Sequence, residues 1–212
     1  FTGITGDGEI YLLHVLQSRA PDRYINDLEF IGGNQSSFSL FNYLYGAFIR
    51  TAGAFYGTAF LTYLMAALWG IACALFIQGI DDEKAPLLFL CASVFCIHYG
   101  PTNWIYYGEM ICTPRILAEA LSLLGCYFVF KKMKTHALLA FIAGTLMHPL
   151  IAGWFLPIWS FLYYPKTQIP ILMVSALFPL SAFFNIGPFR QFDPIWNGAA
   201  QEFKQWTPLK IG

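Results

Sequence analysis

Residues 53–79 read GAFYGTAFLTYLMAALWGIACALFIQG, without a single charged side chain. About 20 apolar residues suffice for a helix to cross the hydrocarbon core of a bilayer, so this stretch is long enough to span, and its neighbours are read as its surroundings. Composition points the same way: 57% of the residues are hydrophobic, 18% aromatic and 11% charged, against about 25% charged in an average soluble domain. Twelve basic and twelve acidic residues cancel, and the strongest basic run is KKMK at 131–134, so no nucleic-acid partner is expected. Cys73, Cys91, Cys96, Cys112 and Cys126 form no CxxC pair. They fit small buried hydrophobes better than a disulfide frame or a thiolate metal site.

Working outward, residues 1 to about 35 are polar and glycine-containing, with a helical-looking piece from Glu9 to Arg19. They read as a loop outside the lipid. An aromatic run from Phe38 to Ile49 leads to Arg50 and the first span. The acidic turn DDEK precedes a shorter span ending near Tyr99, and PRILAEALSLLGCYFVF follows the loop PTNWIYYGEMICT. Pro114 suits the first turn of a helix there. HALLAFIAGTLM runs into His148-Pro149 and LIAGWFLPIWSFLYY, more than one straight span needs. Since Pro149 lacks an amide hydrogen, two helices are expected to meet at His148. IPILMVSALFPLSAFFNI is a further span, and the tail is polar and Trp-bearing.

The expected fold is therefore all-α: a polytopic transmembrane helical bundle over 51–186, of about five to six spans. Residues 1–50 form an extracytoplasmic loop with interfacial helices, and 187–212 an extracytoplasmic amphipathic tail. The start without Met or a signal, and the abrupt close, read as a piece of a longer chain.

Cytoplasmic flanks of spans carry the excess of Lys and Arg. Placing KKMK in the cytoplasm and alternating the spans sends Asp7, Glu9, Asp27, Glu29, Arg50, Glu109, Arg115 and His148 to the opposite face. Polar groups from separate parts of the sequence thus converge at one membrane surface, where chemistry or binding is expected.

Glycines flank Asp7 in GDGE, letting the backbone turn and leaving the carboxylate uncovered. Beside a low-dielectric surface a carboxylate gains the basicity a general base needs. With Glu9 it also offers oxygen ligands to a divalent cation; a solvated turn is the plainer alternative. Arg115 and Glu119 stand four apart at the start of a span, on one helix face. A guanidinium there can fork onto a phosphate, or serve as a structural ion pair or snorkelling group. His148 is either a donor to a substrate phosphate or carboxylate, or a packed helix cap. The tryptophans, Trp69 among them, fit interfacial belts. No nucleophile elbow, phosphate loop, dinucleotide fingerprint or zinc motif is present.

The order of GDGEIYLL, an aromatic stretch, a span, and PRILAEALSLLGCYFVFKKMKTHALLAFIAGTLMHPLIAGWFLPIW resembles polytopic GT-C-type glycosyltransferases and their bacterial relatives. The resemblance implies transfer of a sugar from a polyprenyl-phosphate carrier to an acceptor outside the cytoplasm. It implies Asp7 as general base with Glu9 as its partner, Arg115 on the carrier phosphate and His148 as supporting donor, with Arg50 and Glu109 in the same outer set. The first membrane helix that such enzymes carry ahead of the acidic loop is not in the sequence. The competing reading is a non-enzymatic membrane subunit of a larger complex, its buried charges serving helix packing and its partners being lipid and other membrane chains. A transporter has less support, because no inverted repeat is visible.

Overall fold

The computed structural model describes residues 7–24, 39–80 and 111–164, together with the backbone of 98–99 and 105–106. The helices are α1 (Asp7–Arg19), α2 (Phe41–Ile80), α3 (Pro114–Phe130), α4 (Lys134–Met147), the single turn α5 (Pro149–Ala152) and α6 (Phe155–Tyr163), with a 3₁₀ turn at Pro21–Tyr24. A two-residue antiparallel ladder pairs His98 with Tyr106 and Tyr99 with Ile105. The described architecture is otherwise helical.

Helix α2 is two limbs joined at Gly53, whose backbone (φ 78°, ψ 168°) is not helical. The first limb buries Phe41, Tyr45 and Ile49, and the second buries Leu61 and Met65. On an unbroken helix Leu61 would lie about 120° around the axis from Ile49. The kink turns both stripes into one core, which they share with Val15 of α1 and with Cys112, Ile116 and Leu117 at the start of α3. At about 1.5 Å per residue the limb over 54–80 is roughly 40 Å long, beyond the ~30 Å hydrocarbon core. Among the described residues this is the one helix long and apolar enough to cross a membrane; α4 and the stretch Pro149–Tyr163 are apolar but shorter. The expected spans around 85–100 and 169–186 lie outside the described residues, as does the tail 187–212.

Helices α2 and α3 run in the same direction. Trp69 meets Glu119, and ten residues on, a Cβ at Gly79 would stand 2.9 Å from the Phe130 ring. The chain leaves this pair at Ile80 at one end of the bundle and rejoins it at Ile111 at the other. Helix α4 runs antiparallel to α3. A Cβ at Gly125 would fall 2.3 Å from the Phe141 ring, which is buried and stacked on Phe155 at 5.3 Å. Gly144 sits against Ala118 and Leu121. The end where α3 starts and α4 stops is called upper below, and the opposite one lower.

At the lower end α3 closes with amides of Lys132 and Met133 donating to the carbonyls of Val129 and Phe128, at 3.0 and 2.8 Å. This arrangement needs a left-handed residue after the cap, and Lys132 supplies it at φ 60°. A side chain there is strained in a way glycine is not. Lys132→Gly is therefore expected to raise stability by about 0.5–1 kcal/mol, read as a higher denaturation midpoint in detergent.

Candidate functional site

The upper end is assembled by helix termini. The last carbonyls of α4 have no partner within their own helix, and the chain entering α2 supplies donors: the Leu40 amide to the Leu146 carbonyl at 2.9 Å, and the Ser39 hydroxyl to that of Met147. Ser39 also accepts the Phe41 amide at 3.1 Å, tying the entry of α2 to the exit of α4. The Gly144 carbonyl takes the His148 amide at 2.9 Å. His148 itself is extended (φ −150°, ψ 96°), as the residue before a proline prefers, so α4 stops at Met147 and α5 starts at Pro149.

Helix α1 comes to the same end. A Cβ on Gly8 would stand 3.1 Å from Ile111 Cγ2 and 3.7 Å from the Cys112 carbonyl oxygen. The first turn of α1 is thereby pressed against the residues that lead into α3. This corrects one expectation: Asp7 opens a helix instead of lying in a turn, and Gly8 serves close approach rather than bending. An acidic residue at a helix start is favoured by the amide dipoles there. Glu9, two residues on and so about 200° around the helix axis, is exposed.

Arg115 is the second residue of α3 and is half-buried. Thr113 does not cap the helix with its hydroxyl. His148 is close enough to feel the guanidinium: burial first, and then the charge of Arg115, push its imidazole from the ordinary 6.5 down to about 4. Its Nδ1 atom is buried with no hydrogen-bond partner among the described residues. The ring is thus neutral at physiological pH beside a permanent cation. The start of α1, Arg115 and His148 are together at this end. Arg50 is exposed on the last turns before the Gly53 kink, and Glu109, Asp27 and Glu29 lie outside the described residues.

Beneath this layer polar groups are satisfied inside the bundle. Glu119, one turn after Arg115, is 5% exposed and accepts the Trp69 indole N–H on Oε2 at 3.1 Å. Trp69 is therefore a helix-to-helix donor, which no spacing in the sequence reveals. Trp69→Phe keeps the ring bulk but removes the donor, and is expected to cost about 1–2 kcal/mol, read by chemical denaturation. Tyr45 Oη and Thr58 Oγ1 are 2.7 Å apart across the kink. The Cys112 thiol contacts Thr62 and Tyr45, and burial raises it to about 12, which removes it as a nucleophile at neutral pH. Among the described residues no three His, Cys, Asp or Glu side chains group as metal ligands.

The arrangement offers a cation and a neutral imidazole, with a helix opening on an acid close by. It is suited to holding an anion. No protein-family model matches the chain, and neither a curated protein nor a solved structure matches it.

Proposed function

We propose that the chain is a multi-pass integral membrane protein of the glycosyltransferase kind, acting at the extracytoplasmic face on a polyprenyl-phosphate-linked sugar. Arg115 forks onto the carrier phosphate, which a planar guanidinium suits, and neutral His148 donates a further hydrogen bond. Asp7 withdraws the proton from the acceptor hydroxyl as the new glycosidic bond forms and the carrier phosphate leaves. Glu9 lies about 200° around α1 from Asp7 and takes no part in this step. One observation carries the reading: Gly8 is seated against Ile111 and Cys112, which brings the acid-bearing turn within a few residues of Arg115. The long apolar limb of α2, and the return of the chain from Ile80 at one end to Ile111 at the other, support the multi-pass part.

In a reconstituted assay with a polyprenyl-phosphate sugar, Asp7→Asn is expected to abolish transfer while donor binding persists. Arg115→Ala is expected to weaken donor binding about 10- to 100-fold. Full activity of Asp7→Asn rejects the assignment. The burial of Glu119 against Trp69 favours a second reading, a non-enzymatic subunit whose polar groups serve packing. That reading predicts a partner chain copurifying in one-to-one ratio and no transfer by the pair.

A further inference from the structure

The six residues Lys131–His136 are all exposed at the lower end, and four of them carry basic side chains. They are held there by aromatic groups of α6. The Trp159 indole donates to the Lys134 carbonyl at 3.1 Å, and the Tyr163 hydroxyl donates to the Val129 carbonyl at 3.3 Å. The Lys134 ammonium stands 5.0 Å from the centre of the Tyr163 ring, and that of Lys131 stands 5.7 Å from the Tyr127 ring. Among the described residues none of the three lysines has a carboxylate partner. The end of α3 carries the equivalent of about half a negative charge, far less than three ammonium groups.

We propose that this basic, aromatic end docks onto the anionic phospholipid headgroups of one leaflet. The ammonium groups meet lipid phosphates, and the indole and phenol rings lie at headgroup depth, where such rings partition. The surface belongs to the cytoplasmic leaflet when the upper end faces outside. The inference rests on the reading of the chain as an integral membrane protein, and its test separates the two.

The purified protein in detergent is titrated with phosphatidylglycerol or with phosphatidylcholine, bound lipid is counted by native mass spectrometry, and insertion into vesicles of each lipid is scored by flotation after alkaline washing. Phosphatidylglycerol is expected to bind on the order of tenfold more tightly, an advantage that shrinks with added salt. The variant K131Q/K132Q/K134Q is expected to lose the preference, and K131R/K132R/K134R to keep it. A salt-insensitive wild type, or an undiminished preference in the glutamine variant, overturns the proposal. So does a wild type that binds both lipids alike, the outcome expected if Asp81, Asp82 and Glu83 neutralise the lysines internally. Failure to insert into either vesicle instead rejects the membrane reading itself.

Discussion

Gly57→Ala is expected to destabilise the protein by about 3 kcal/mol. The added Cβ would lie 2.7 Å from the Phe48 carbonyl oxygen, 2.9 Å from its carbon and 3.1 Å from the Ile49 nitrogen. All three are backbone atoms, so no side chain can rotate away. Relief requires the two limbs of α2 to open at Gly53, which separates Tyr45 from Thr58 and pulls Phe41 and Ile49 out of the core they share with Leu61 and Met65. The Ser39 and Leu40 donors that close the end of α4 move with the first limb, so the upper end should loosen as well. Gly53→Ala acts on the same kink, because φ 78°, ψ 168° is a conformation that only glycine adopts without strain. The double variant should therefore cost less than the sum of its parts. Gly70→Ala is the control: a Cβ there meets nothing within 4 Å, and alanine favours the helix interior by about 1 kcal/mol. Thermal denaturation in detergent, followed by circular dichroism, should show a raised midpoint for Gly70→Ala and a lowered one for Gly57→Ala. A neutral Gly57→Ala would mean that the limbs are not held together in the way described.

What the sequence discloses about this architecture is what depends on nearest neighbours. Pro114 at a helix start and Pro149 at a helix interruption follow from a missing amide hydrogen and a fixed φ, and the apolar length of the second limb of α2 follows from composition alone. Gly53 lies at the edge of the stretch without charge, yet nothing local distinguishes it from Gly57 or Gly70. One is a hinge, one a backbone contact and one open space, and only tertiary packing decides which. The acidic turn shows the same limit. GDGE resembles a loop because two glycines bracket an acid, whereas Gly8 is there to let α1 approach Ile111 and Cys112. Trp69 and Glu119 are fifty positions apart, and an indole on an apolar helix carries no local sign that its N–H has a carboxylate partner. Alternating helices across a bilayer concerns which helix ends share a side and not which residues touch, so the approach of α1 to Ile111 and Cys112 lies outside its reach.

His148 is expected to make stability fall as the pH is lowered through the window from about 6.5 to about 4. Above that window the imidazole is neutral in both folded and unfolded chains and contributes no pH dependence. Below 6.5 the unfolded chain takes up a proton that the folded chain refuses until about pH 4, so acid favours unfolding, by about 3 kcal/mol once both pKa values are passed. Two causes hold the ring neutral, burial and then the Arg115 guanidinium, and they can be separated. His148→Gln removes the titration altogether, so its stability relative to wild type should rise as the pH falls through the window. Arg115→Gln removes the charge but leaves the burial, so the folded pKa should recover part of the way towards 6.5 and the window should narrow from its acid end. The same balance decides what the site does with an anion. A bound phosphate beside Arg115 adds negative charge near the ring and should raise the His148 pKa, so inorganic phosphate should weaken the acid destabilisation of the wild type and leave that of Arg115→Gln nearly unchanged. Denaturation midpoints from pH 4.5 to 7.5, with and without phosphate, would read all of these effects. A His148→Gln profile parallel to the wild-type profile would show that His148 does not titrate in the window, and would separate the imidazole from the guanidinium whose charge it is taken to feel.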